Sequence, residues 1–240
     1  MDSAWPDVVS SSPEYGRRFA GPVGEMFLER QARGVLELLS PWPGAAVLEV
    51  GGGHGQLVPH LLAAGHEVTV LGSNPLEDTL LHRLMPGGGF QYIQAPLVPL
   101  PLEDASFDLL VALRLLAHVP DPAALVAELC RVARKAVVVD YADLRSLNFL
   151  GQRLVSLKQA AEDHVHSRAY RCFWSWQIQR LFAAQGFGRP RRIPQFFFPM
   201  ALHRLLGRPG LSRAAEAAAG ALGLVRLLGS PVLLRMERLS

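Results

Sequence analysis

Two kinds of segment alternate along residues 45–141, and this alternation limits the chain to few folds. Apolar strands are predicted at 45–50, 66–71, 90–95, 107–113 and 136–141. Helices are predicted between them at 56–64, 75–85 and 121–133, the last opened by Asp121 as an N-cap and by Pro122. Continuous apolar strands separated by helices are typical of a parallel sheet covered on both faces. We therefore predict an α/β protein, with 191–199 and 231–239 as two further strands.

Helical segments are predicted on either side of this core. The stretch 16–39 has amphipathic periodicity and is ended by "SPWPG" at 40–44. After Tyr141 the strand pattern stops, and 144–171 is predicted to be a helical lid inserted into the core, with apolar positions facing substrate. Further helices are expected at 175–187 and near 214–221, where alanine is abundant. The predicted division is N-terminal helices at 1–40, a core at 41–143 and 172–240, and the lid.

Composition excludes several classes of protein. No stretch reaches the roughly 18 uncharged apolar residues of a membrane span, and the N-terminus lacks a basic start before an apolar run. We therefore expect a cytosolic protein. Cys130 and Cys172 have neither CxxC spacing nor neighbouring metal ligands, so neither a disulfide framework nor a zinc site is expected. Nothing in the sequence specifies an oligomeric state.

Charge is distributed unevenly along the chain. Residues 1–113 carry 5 basic and 13 acidic side chains, whereas residues 114–240 carry 19 and 8. A basic half of this kind attracts an anionic substrate, a carrier protein or a lipid surface. Solvated arginines on helix faces are the alternative interpretation. The mixture of bases and aromatics in "RAYRCFWSWQIQR" fits helix packing better than nucleic-acid binding.

The glycine-rich stretch "VLEVGGGHGQL" (47–57) carries the strongest chemical signal. It follows a strand and opens a helix, and it has the form E-x-G-x-G-x-G with Glu49, Gly51, Gly53 and Gly55. Glycines at such a turn let the backbone approach a ligand that side chains would exclude. A dinucleotide is disfavoured because an acidic residue at the end of the strand would repel its pyrophosphate. A glycine-rich turn without a ligand is the remaining alternative.

This motif resembles the first motif of the class I S-adenosylmethionine-dependent methyltransferases. "LPLEDASFDLLVALRLLAHVPDPAALVAELCRVARKAVVVDY" is similar to the family's stretch from the fourth strand to the fifth. "SSPEYGRRFAGPVGEMFLERQ" resembles the N-terminal helices of a small-molecule subgroup related to ubiquinone-biosynthesis methyltransferases. The resemblance covers roughly residues 12–200. It implies a Rossmann-like, seven-stranded, mostly parallel sheet with helices on both faces and a helical cap, S-adenosylmethionine as cofactor, and methyl transfer to a small, largely apolar molecule.

The sequence departs from the family at two cofactor contacts. The acid that ends the second strand and holds the ribose is matched by Gly72, with Ser73 and Asn74 as neutral replacements. Pro96 or Leu97 stands where the family has the acid that meets the adenine amino group. On sequence alone, we expect Gly72→Asp to restore a ribose acceptor and raise affinity by about 1 kcal/mol.

His118, in "LRLLAHVPD", is the candidate catalytic residue, and Leu113, at the end of the fourth strand, is assigned to the cofactor site. Both follow that strand, at the edge where open α/β sheets bind ligands. A histidine that only orders this turn is the alternative for His118. His164 and His166 in "EDHVHS" are candidates for the cap interior or for a solvated loop. Two other functions remain open: a cyclase or lyase reaction on the same fold, and non-catalytic binding of a partner.

Overall fold

The computed structural model describes residues 19–52, 55–147 and 171–239. Eight strands are found in these ranges, and together they form one sheet. Their bounds are β1 Ala46–Val50, β2 Glu67–Gly72, β3 Phe90–Gln94, β4 Phe107–Ala112, β5 Ala133–Asp143, β6 Cys172–Phe173, β7 Phe187–Pro194 and β8 Val232–Arg238.

The strand order is β3-β2-β1-β4-β5-β8-β7, and β6 pairs with the end of β5. Strands β1 to β5 pair in parallel, whereas β8 is antiparallel to both of its neighbours, β5 and β7. The predicted Rossmann-like, mostly parallel sheet of seven strands is therefore confirmed. The two-residue strand β6 is an addition that the sequence pattern did not predict. All the parallel strands, including β7, end at the same edge of the sheet.

Eight helices occur in the described ranges. They are α1 Gly21–Leu39, α2 Val58–Ala63, α3 Pro75–Leu84, α4 Pro122–Val132, α5 Ser175–Ala183, α6 Met200–Leu206, α7 Pro209–Ala221 and α8 Leu224–Leu228. The helix N-cap predicted at Asp121 is present, since its side chain accepts hydrogen bonds from the backbone N–H groups of Ala123 (2.8 Å) and Ala124 (3.1 Å). No helix in these ranges is both long and apolar enough to cross a membrane.

Each face of the sheet carries its own apolar core. On one face, Val35 and Leu38 of α1 pack with Val47 and Val111 of the sheet. On the other face, the apolar side chains of α4 and α5, including Leu129 and Phe182, pack together with alternate residues of the same strands. The continuous apolar strands of the sequence are thus explained by burial on both sides.

The strand predicted at 191–199 was placed wrongly along the chain. It begins at Phe187 and ends at Pro194, and the following aromatic residues leave the sheet. Phe196 packs instead on α1, where its ring stacks on Phe27 with centroids 3.9 Å apart. The apolar run in the sequence therefore continues past the end of β7, because its later residues pack against a helix.

The proposed division into N-terminal helices, core and lid stays a prediction. The lid was predicted at 144–171, and residues 148–170 lie outside the described part of the chain, together with His164 and His166. Residues 1–18, also part of the predicted N-terminal helices, lie outside it too.

Candidate cofactor and active site

The glycine turn begins where β1 ends, at the carboxyl edge of the sheet. Gly51 donates its backbone N–H to the Leu71 carbonyl at 2.7 Å and has a φ of 70°. Gly55 has a φ of 65°. Both angles lie in the left-handed region that favours glycine. A Cβ atom on Gly51 would also lie 2.8 Å from the Leu115 methyl carbons, so the turn has no room for a side chain there. Gly53, the third glycine of the predicted motif, lies outside the described residues.

Glu49 is the second-to-last residue of β1 and precedes this turn. It is 5% exposed, and its Oε2 atom has no hydrogen-bond partner among the residues that the structure describes. Burial raises the pKa of the Glu49 carboxyl to about 8, although the positive charge of Arg114 opposes the shift. A buried carboxyl with an open oxygen atom is suited to accept a cationic hydrogen-bond donor, since pairing offsets the cost of burying its charge.

A second buried acid, Asp140 on β5, joins α1 to the loop after β4. Its Oδ1 atom accepts the backbone N–H of Arg114, and its Oδ2 atom accepts the Gln31 side-chain amide at 3.3 Å. Burial raises the pKa of Asp140 to about 6, although the backbone hydrogen bond and the positive charge of Arg114 each lower it. Arg114 itself has a φ of 60° and contacts Gln56 Oε1 at 3.4 Å. This link was missed on sequence alone, although an aspartate within the apolar run "AVVVDY" is a signal that could have indicated it.

An acidic side chain lies at the end of β2, but it belongs to the following helix, α3. Glu77 is in the first turn of α3 and is fully buried. Its Oε2 atom occupies the place that a Cβ atom on Gly72 would take. Tyr92 lies beside both residues and donates its hydroxyl to the Asn74 carbonyl at 2.8 Å. A carboxylate is therefore present at the end of the second strand, although the strand itself ends in glycine.

The predicted neutral replacements at this edge have separate surroundings. Asn74 caps α3, because its Oδ1 atom accepts the backbone N–H of Leu76 at 3.0 Å. Ser73 is half-buried and directly follows β2. The structure thus brings Gly72, Ser73 and Asn74 to the same edge as the glycine turn, with the Asn74 side chain engaged in a helix cap.

The residues matched to the adenine contact differ in exposure. Pro96 is exposed, whereas Leu97 is fully buried in the apolar core. The preceding residue, Ala95, donates its backbone N–H to the Gly72 carbonyl at 3.0 Å, so this segment lies against the end of β2. Leu113 is buried on the opposite face of the sheet from Leu97. The backbone near these positions is at the cofactor edge, while the two leucine side chains are core residues.

His118 lies in a turn that follows β4 at the same edge. The turn is held by the backbone, since His118 and Val119 both donate N–H groups to the Leu115 carbonyl, at 2.9 and 3.1 Å. Arg171 donates its backbone N–H to the Ala117 carbonyl at 3.1 Å, which ties the turn to the chain before β6. The His118 side chain is half-buried.

The central part of the chain matches a known protein family. Residues 48–139, which include most of β1, all of β2 to β4 and most of β5, match the family model described as a methyltransferase domain. This segment of the chain is therefore similar to a methyltransferase domain. The segment contains Glu49 and the glycine turn, on which the resemblance to the class I methyltransferases rests.

Curated relatives that match part of this chain include a ubiquinone biosynthesis O-methyltransferase from Hahella chejuensis (strain KCTC 2396). The two chains are 38% identical over 95 residues, which is 38% of this chain and 40% of the relative. An O-methyltransferase from Pyrenophora dematioidea is 30% identical over 126 residues, 50% of this chain and 47% of the relative. The chain thus matches less than half of the length of these relatives.

Solved structures of methyltransferases share the whole fold. A possible histamine N-methyltransferase from Thermotoga maritima aligns with a TM-score of 0.66 and 19% identity, over 94% of this chain and 95% of the other. At these identities the similarity concerns the fold, and it extends beyond the 48–139 segment to the sheet and helices around it.

Proposed function

We propose that this protein transfers the methyl group of S-adenosylmethionine to a small, largely apolar acceptor. The observation that carries the proposal is the buried Glu49 carboxyl, with its open Oε2 atom, on the strand that leads into the glycine turn. This pair of features lies inside the segment that matches the methyltransferase domain. The match supports the reaction class, and the Glu49 geometry supports a ligand that carries a cationic donor.

The residues of the edge fit the chemical groups of this cofactor. Glu49 has an acceptor atom for the ammonium group, and the left-handed backbone at Gly51 and Gly55 keeps side chains away from the turn. Glu77 offers a carboxylate for the ribose hydroxyls at the end of β2. The cofactor supplies a sulfonium methyl group that is already strongly electrophilic. The work of the protein is therefore to bind, align and exclude water.

We propose His118 as the group that accepts the proton of the acceptor. The relatives named above are O-methyltransferases, which makes a hydroxyl oxygen the first acceptor atom to test. A hydroxyl must lose its proton as its oxygen is methylated, and a histidine is the usual base for such a step near neutral pH. Backbone hydrogen bonds hold the turn around His118, so the fold fixes the backbone that carries the imidazole.

The acceptor is further proposed to carry an anionic group or to be attached to an anionic carrier. The support is the charge of residues 114–240, which carry 19 basic and 8 acidic side chains. This half of the chain contains β5, β7 and the helices around them. An excess of basic side chains attracts anions. The cytosolic location expected from the sequence stays a prediction.

Titration calorimetry with S-adenosylmethionine, S-adenosylhomocysteine and NAD tests the proposal. Both sulfur nucleosides should bind and NAD should not. A set of small phenols should then be incubated with the cofactor, and mass spectrometry should find a methylated product. Absence of heat with either nucleoside at millimolar concentration would favour the non-catalytic binding protein. Binding without methylation of any acceptor would favour a cyclase or lyase reaction on this fold.

A further inference from the structure

A cavity lies between α1, the end of β7 and α7. Its volume is about 320 Å³, and its lining includes Arg30, Arg33, Arg213 and Phe196. Strand β7 is the fourth strand from β1 in the sheet order. At about 4.8 Å between neighbouring strands, the β7 wall of the cavity is roughly 19 Å from β1. None of the residues that line the cavity belongs to the glycine turn or to the end of β2.

The three carboxylates that line this cavity are each engaged with other groups. Glu216 contacts His203 Nε2 at 3.0 Å and accepts the backbone N–H groups of Phe197 and Phe198, both at 3.0 Å. In the two other pairs, Glu37 contacts Arg191 at 2.7 Å and Glu29 contacts Arg213 at 3.5 Å.

Two arginines that line the cavity, Arg30 and Arg33, differ from these carboxylates in their pairing. Within the described ranges, neither Arg30 nor Arg33 forms an ion pair with a carboxylate. They are three positions apart on α1, so they lie on the same face of the helix. Burial lowers the pKa of Arg30, attraction to Glu216 opposes this, and the like charge of Arg33 lowers it further. A half-buried arginine and an exposed one that repel each other are stabilised when an anion is placed between them.

The rest of the lining combines one buried polar side chain with an apolar wall. Gln195 is 1% exposed, and its Oε1 atom has no hydrogen-bond partner in the part of the chain that the structure describes. Its Nε2 atom lies 2.9 Å from the place of a Cβ atom on Gly34, so α1 approaches the amide closely there. Met26 and Phe196 provide apolar surface, and the Arg30 guanidinium carbon lies 4.7 Å from the centre of the Phe196 ring.

We propose that this cavity binds a small organic anion, whose carboxylate or phosphate group is held between Arg30 and Arg33 and whose apolar body lies against Phe196 and Met26. Guanidinium groups bind either oxyanion through paired N–H donors. The open Gln195 oxygen accepts a hydroxyl or amide donor of the same ligand. The site does not depend on the proposed methyl transfer, because none of these residues belongs to the cofactor edge.

Titration calorimetry on the full chain with phenyl phosphate, benzoate and benzyl alcohol tests this site. At least one of the two anions should bind with a millimolar or tighter dissociation constant, and their ratio distinguishes a phosphate from a carboxylate site. The neutral benzyl alcohol should bind at least about tenfold more weakly. Arg33→Gln, at an exposed position, and Arg30→Gln should each weaken the preferred anion about tenfold, which corresponds to 1.4 kcal/mol.

The matched control is Arg180→Gln, an exposed arginine of α5 on the opposite face of the sheet, which should leave anion binding unchanged. The cofactor titration on the same variants keeps the two proposals distinguishable, because S-adenosylmethionine affinity should not change with Arg30 or Arg33. No binding of either anion would overturn the inference. Equal binding of benzyl alcohol, or an equal loss in Arg180→Gln, would overturn it as well.

Discussion

The carboxylate of Glu77 occupies the space that a side chain on Gly72 would need. The two residues come from different elements, since Gly72 ends β2 and Glu77 is in the first turn of α3. The glycine makes room for the helix carboxylate, and the helix carboxylate lies where a strand carboxylate would otherwise be. The loss of an acid at position 72 and the burial of an acid at position 77 are therefore two parts of one arrangement.

Gly72→Asp should destabilise the protein and weaken cofactor binding. The new Cβ would displace Glu77, and two carboxylates would then be crowded at one buried place, where like charges are costly. This expectation is opposite to the one drawn from the sequence alone, because the space at Gly72 is already filled. Urea denaturation and calorimetry with S-adenosylmethionine measure the two effects. A variant of normal stability that binds the cofactor more tightly would show that Glu77 moves aside without cost.

Glu77→Gln should weaken S-adenosylmethionine binding by about tenfold to a hundredfold, because a hydrogen bond to a charged acceptor contributes roughly 1.5–3 kcal/mol. The variant keeps the shape of the side chain and removes only its charge. Asp78→Asn is the matched control, since Asp78 is the next residue of α3 and pairs with His82 at the surface. If both variants bind S-adenosylmethionine as tightly as the unchanged protein, Glu77 does not contact the cofactor.

The sequence was sufficient for β1, β2, β4, β5 and β8, because burial makes them apolar runs. It gave no sign of β6 and misplaced β7, whose strand residues are largely polar and exposed. It was insufficient for Glu77. Both Glu77 and Asp78 are visible after Pro75, but only the packing of α3 against β2 and β3 decides which one turns inward. The Asp140 link was missed for a similar reason. Its partners, Gln31 and the backbone of Arg114, are distant in sequence and meet only through the parallel pairing of β4 with β5.

Glu49→Gln should change how stability depends on pH. The pKa of Glu49 is raised from 4.5 to about 8 by burial, so between these values the folded state keeps a proton that the unfolded state has lost. The stability that Glu49 contributes is fully present below pH 4.5 and is lost as the pH rises to about 8. Glutamine cannot ionise. The free energy of unfolding of the variant, relative to the unchanged protein, should therefore increase by at least about 1 kcal/mol from acid to alkaline pH.

Urea denaturation at a series of pH values measures this difference. Asp140, whose pKa is also raised, is present in both proteins, and its contribution cancels unless the two acids interact. Glu67→Gln, at the exposed start of β2, is the control for replacing a glutamate elsewhere in the sheet. A constant difference for Glu49→Gln would mean that its carboxyl ionises in the folded protein as it does in water.

His118→Ala should lower turnover by roughly 10²–10⁴ while S-adenosylmethionine affinity changes little, because a general base acts on the acceptor and not on the cofactor. The backbone bonds of His118 and Val119 to the Leu115 carbonyl do not involve the imidazole, so the turn should persist in the variant. His60→Ala, at an exposed position of α2, is the control for removing a histidine elsewhere. The rate of the unchanged protein should fall in acid as the base becomes protonated, and the variant should lose this part of the profile. If the loss of turnover is under about fivefold and the acid profile is kept, His118 orders the turn and another group accepts the proton.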